Sequence, residues 1–93
     1  MDFTQQQIDE LQGYAENLTP IPDIAVLMDV DTFSLREAIA DEHSAISRAY
    51  RRGKALTTLR IRQNELQLAD AGSPLAVQLM NSYVRDMDAE EDL

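Results

Sequence analysis

The stretch from Ala45 to Ala71, AISRAYRRGKALTTLRIRQNELQLADA, constrains this chain most, because it reads as one long helix carrying two apolar seams. Ala45, Ala49, Leu56, Leu59 and Leu66 recur at helical steps on one line, and Ile46, Tyr50, Thr57, Ile61 and Leu68 on another. At about 100° per residue the two lines lie about 160° apart. A helix on the outside of a monomer needs only one such stripe. Two stripes predict two neighbours, one from the same chain and one from a second copy. Tyr50, Leu56, Leu59, Ile61 and Leu66 are the residues expected between copies. The stretch also holds six of the eight cations, Arg48, Arg51, Arg52, Lys54, Arg60 and Arg62, with no acid among residues 48–62.

Ninety-three residues allow one small domain with a modest core, so association is a natural further source of stability. The apolar residues are mostly Ala, Leu, Ile, Val and Met rather than aromatic or β-branched runs, which favours an all-α fold. The absence of cysteine excludes disulfide scaffolds, thiol catalysis and cysteine zinc sites. No apolar run approaches the roughly 18 residues of a membrane span, and the opening Met-Asp-Phe-Thr is no signal peptide. A soluble, cytosolic protein is expected. The net charge of −9 is unevenly spread: residues 1–47 hold ten acids and one base, Arg36, and residues 63–93 hold seven acids and one base, Arg85. Such acidity opposes nonspecific DNA binding by a monomer, since Lys and Arg contacts to phosphate supply most of that affinity. A basic band repeated around an oligomer still presents a positive surface.

In chain order, residues 1–21 form a first helix and a linker. Thr4 caps the helix, Phe3 staples onto Ile8, and Ile8, Leu11, Tyr14 or Ala15, and Leu18 make its apolar stripe. Pro20 and Pro22 break it, and either is tolerated in the first turn of the next helix. Residues 22–41 read as two short helices, PDIAVLMD and TFSLREAIAD, the second capped by Thr32. Residues 42–87 form a helical hairpin. Ser44 caps its long arm, Gly72 stops that arm in a left-handed conformation, and Ser73 with Pro74 starts the return helix. Leu75, Ala76, Leu79, Met80, Tyr83, Val84 and Met87 share one face of that helix, and residues 88–93 make an acidic tail.

The spacing within residues 22–41 suits a helix-turn-helix. Ala25, Met28, Val30, Leu35 and Ala38 or Ile39 face inward, and Asp29 stands at the turn position that favours a left-handed residue. Thr32, Ser34, Arg36 and Glu37 are left to face a major groove, Arg36 being the strong guanine or phosphate contact. The alternative is two helices packed at a steep angle. Arg48, Arg51, Arg52 and Arg62 project within about 100° of one another and suit phosphate or a partner's carboxylates; alternatively they neutralise the acidic remainder of this chain or its neighbour, including Glu65, Asp86 and the tail. Gly53 costs about 1 kcal/mol in a helix interior, which close helix approach explains best. His43 lacks metal or nucleophile partners, Asp29 and Asp31 match no calcium loop, and Met28, Met80 and Met87 read as core. No catalytic constellation, metal site or cofactor motif is present, so an enzyme is not expected.

This order of parts resembles the small terminase subunits of tailed bacteriophages and related phage-type helix-turn-helix proteins. The likeness spans roughly residues 22–85. It rests on the stretch Tyr50-Arg51-Arg52-Gly53-Lys54-Ala55, followed by Leu68-Ala69 and the turn Gly72-Ser73-Pro74 before an apolar helix. The resemblance implies a noncatalytic DNA-recognition subunit, assembling through its central hairpin into a ring that presents viral double-stranded DNA to a large terminase holding the ATPase and nuclease. It implies Arg36, Thr32 and Ser34 as DNA contacts, with Arg48, Arg51, Arg52 and Lys54 as secondary ones. It also implies a tail that engages the large subunit, and the cytoplasm of a bacterial host as location. Two other readings stand beside it: a helical oligomeric adaptor or structural protein that binds no DNA, and a small transcriptional regulator.

Overall fold

The computed structural model describes residues 2–91 and is all-α. Its helices are α1 (Gln5–Glu16), α2 (Ile21–Met28), α3 (Thr32–Ala40), α4 (Ala45–Asp70) and α5 (Pro74–Glu91). The chain divides into two compact units, Met1–Thr57 and Thr58–Leu93.

The helix boundaries follow from local chemistry. Thr4 and Gln7 form a reciprocal capping box: the Thr4 hydroxyl accepts from the Gln7 amide at 3.1 Å, and the Thr4 amide donates to Gln7 Oε1 at 2.9 Å. Pro22 sits in the first turn of α2. Asp31, and not Thr32, caps α3, accepting from the Ser34 amide at 2.9 Å; its carboxylate is an acceptor without a competing proton, and Thr32 becomes the first helical residue. Ser44 and Ser73 cap the helices after them, accepting from the Ser47 and Ala76 amides.

Three helices end in the same way. The amides of Thr19, Val30 and Ser73 each reach back five residues, and those of Leu18, Asp29 and Gly72 three. This is the Schellman pattern, which requires a left-handed residue after the last turn. Gly72 fills that position with φ 97°, but Asp29 (φ 57°) and Leu18 (φ 56°) fill it without being glycine. Leu18 therefore lies past the end of α1, half exposed, and does not extend that helix's apolar stripe.

Within the first unit, Leu11, Ile24, Ala25, Leu35, Ile39, Ile46 and Ala49 form the core. Phe3, Ile8, Tyr14, Ile21, Met28, Val30, Ala38 and Tyr50 pack around it. Two hydroxyls tie the end of α3 to the start of α4. Ser44 donates to the Ala38 carbonyl at 2.7 Å and the buried Ser47 to that of Ile39 at 2.6 Å. Both acceptors belong to the last turn of α3, where carbonyls lack helical partners.

The buried stripe of α4 in this unit is Ile46, Ala49, Gly53 and Thr57. It crosses α1 at Gly53, where a β-carbon would stand 2.5 Å from the Gln12 carbonyl oxygen, 2.8 Å from the Ala15 β-carbon and 3.1 Å from the Glu16 amide nitrogen. One turn later the Thr57 hydroxyl donates to the carbonyl of Glu16, the last residue of α1.

The second unit is a hairpin. Arg62 lies over the ring of Tyr83, 5.0 Å from its centroid, so α5 turns back on α4 as expected. Of α5, only Ala76 is buried among the described residues. Met80 and Tyr83 are half-buried, whereas Leu75, Leu79, Val84 and Met87 are exposed, so the face read as core is covered only in part and Met87 is not core. Helix α5 also runs through Glu91, making Asp88–Glu91 helical where an acidic tail beyond the hairpin was expected; residues 92–93 lie outside the described residues.

Gly53→Ala should destabilise the first unit. The roughly 1 kcal/mol gained from helix propensity is outweighed by forcing backbone apart, with overpacking typically costing about 1–3 kcal/mol. A lower urea midpoint at unchanged slope checks this; an unchanged or higher midpoint contradicts the close crossing.

Candidate nucleic-acid interface and assembly surface

Helices α2 and α3 are joined by the three residues Asp29–Asp31, with Asp29 left-handed. Their inner faces, Ile24 with Ala25 and Leu35 with Ile39, are buried. Of the four side chains read as facing a groove, the structure exposes Arg36 and Glu37, while Thr32 and Ser34 are half-buried. Ser34 is also engaged: its hydroxyl donates to the Asp31 carboxylate at 3.0 Å. Phe33, overlooked in the sequence, is 67% exposed beside them. It falls three and four positions before Arg36 and Glu37, so helical spacing alone places it on their face.

On α4, Arg48, Arg51, Arg52 and Lys54 are all exposed. Arg51 approaches Glu42 at 3.6 Å, with both side chains more than half exposed. Such a surface pair holds the arginine weakly and leaves it open to a better partner. Arg62, grouped with these by its helical position, is instead placed over Tyr83 in the second unit. His43 lies exposed in the turn before α4, its amide bonded to Asp41 Oδ1.

The residues expected between copies divide. Leu56, Leu59, Ile61 and Leu66 are exposed, whereas Tyr50 packs against the core of its own unit. In the second unit Leu68, Leu75, Val77, Leu79, Val84 and Met87 add to the exposed apolar surface. Within the second unit alone, Leu59, Ile61, Leu66, Leu68, Leu75, Val77, Leu79, Val84 and Met87 are large apolar side chains left in water.

Among the described residues no group of three or more His, Asp or Glu is placed to hold a metal ion, and no helix is long and apolar enough to cross a membrane. The chain matches no protein-family model, no curated protein and no solved structure.

The Asp31 cap carries a pH signature. The amide and then the hydroxyl of Ser34, both donating to its carboxylate, hold its pKa below the ordinary value of 3.8. A carboxyl whose folded pKa is depressed contributes stability above its unfolded pKa and loses it as pH falls through the folded one. Asp31→Ala should therefore lower the melting temperature at neutral pH. The gap to the parent chain should narrow below about pH 3.8; a gap independent of pH in thermal melts would count against this cap.

Proposed function

We propose that the chain is a noncatalytic assembly and DNA-recognition subunit of the phage terminase type. Copies associate through the helical hairpin, bind viral double-stranded DNA and hand it to a large terminase subunit in the cytoplasm of a bacterial host. The observation that carries the reading is the second unit: two helices that leave Leu59, Ile61, Leu66, Leu75, Val84 and Met87 exposed and bury little of their own. A two-helix unit of this kind gains its apolar burial by packing against further copies.

DNA recognition rests on the resemblance and on where cations are exposed. In this reading α2 and α3 form a helix-turn-helix, with Arg36 at the groove and Arg48, Arg51, Arg52 and Lys54 on phosphates. Asp88–Glu91, at the end of α5, belong to the surface presented to the large subunit. A second reading, an oligomeric adaptor without DNA binding, is favoured by one observation. Residues 22–42 carry six carboxylates and Arg36 as their one cation, together with exposed Val26, Leu27 and Phe33.

Light scattering on a sizing column should give a discrete multi-subunit mass, and at about 1 M NaCl Leu59→Asp with Leu66→Asp should reduce it to that of the single chain. A duplex probe should bind the assembly with an affinity that falls steeply with salt. Arg36→Ala should weaken it and reduce the slope of log affinity against log salt by roughly 1. Intact assemblies that retain no DNA at low salt would leave the adaptor reading in its place.

A further inference from the structure

We infer that the outer faces of α2 and α3 form a docking surface for the basic outer face of α4 from a second copy of this chain. Helix α2 is apolar nearly all round: Ile24 and Ala25 are buried, yet Val26 is 78% and Leu27 55% exposed on the opposite side. A short helix with this pattern is normally covered on both sides. Phe33 adds an exposed ring on α3, and Asp23 and Glu37 border these side chains in sequence and on the helical wheel. Arg36 shares the face of Phe33 and Glu37, so the surface is apolar with a net negative charge, Asp23 and Glu37 outweighing the one cation.

Its complement is present in the same sequence. Arg48, Arg51 and Arg52, with Ala55 and Leu56, make the exposed side of α4 apolar and cationic. These two surfaces cannot meet within one chain. Inner residues of α2, α3 and the first half of α4 all converge on one core, so their outer faces point away from one another. The contact has to run between copies, and because it joins two different surfaces it is head-to-tail, the kind that closes a ring or extends a filament.

Charge favours this occupant. Each copy carries −9, so association brings like charges together unless the one positive stretch of a copy lies against carboxylates of its neighbour. Arginine suits the task, its stem covering apolar side chains while the guanidinium meets carboxylate. The inference rests on the self-association of the proposed function and not on DNA binding; a neighbour's carboxylates and DNA phosphates compete for Arg48, Arg51 and Arg52. It adds a salt-sensitive contact to the apolar one made by the hairpin.

The test uses the full chain without DNA, by light scattering at about 0.1 M and about 1 M NaCl, which shortens the screening length from about 10 Å to about 3 Å. The parent chain should lose its largest species at high salt. Asp23→Lys/Glu37→Lys and Arg48→Glu/Arg52→Glu should each lack that species at low salt. An equal mixture should form a heteromeric species that neither forms alone, because one copy keeps the acidic face and the other the basic one. That recovery also shows both variants to be folded. Val26→Ser/Leu27→Ser, which alters no charge, should weaken the species too. The inference is overturned if the charge reversals leave the mass unchanged, or if mixing variants of parental helicity does not restore the largest species. Leu59→Asp/Leu66→Asp separates the two contacts: it should remove the salt-resistant association and leave the salt-sensitive one. A chain monomeric at both salts would overturn both.

Discussion

The first unit depends on a single close approach, that of α1 and α4 at Gly53. The absence of a side chain there lets backbone meet backbone, so that the Gln12 carbonyl and the Ala15 methyl occupy the space a β-carbon would need. Everything nearby is arranged by that proximity. Thr57 can reach the last carbonyl of α1 only because the helices are this close, and Tyr14 and Tyr50 pack around the same core. The hydroxyls of Ser44 and Ser47 then fix where α4 begins relative to α3. A helix that loses roughly 1 kcal/mol at its glycine recovers it in contacts no other residue would permit.

The second unit obeys a different logic. Its turn is well specified, with Gly72 left-handed, Ser73 capping and Pro74 in the first helical position. Its faces are nevertheless covered only in part, with Ala69, Met80 and Tyr83 half-buried. Local chemistry dictates where the chain reverses, while apolar packing within the unit is represented by little more than Ala76 and the Arg62–Tyr83 contact. Since most helical stability in proteins comes from packing an apolar face rather than from propensity, the hairpin is a shape that a neighbouring surface would complete.

Much of this was legible in the sequence because the signals were local. All-α class, the capping residues Thr4, Ser44 and Ser73, the stop at Gly72 and the close approach at Gly53 each follow from one residue and its immediate spacing. The misreadings arose where two residues competed or tertiary context decided. Asp31 and Thr32 are both good caps, and the carboxylate won. Leu18 continued an apolar period but fell after the helix had already turned left-handed. Tyr50 and Ile61 share a line on the helical wheel, yet one meets a core and the other does not, since α4 outruns the elements that cover its first half. Periodicity shows which residues share a face; it does not show how far along the helix a neighbour extends. Phe33 carries no such local signal: an aromatic residue in a short helix reads as core until the packing shows which side faces water.

The left-handed stops have a consequence for how such a chain tolerates change. Aspartate tolerates the left-handed region, but Leu18 holds a conformation that disfavours its side chain by roughly 1–2 kcal/mol, and does so half exposed, outside the core. A single substitution there to glycine or asparagine relieves strain with little packing to lose. The fold thus holds an untapped margin close to its N-terminal helix. A lineage could draw on that margin to offset destabilising changes on the surfaces that recognise partners, and so alter what it binds without giving up the scaffold.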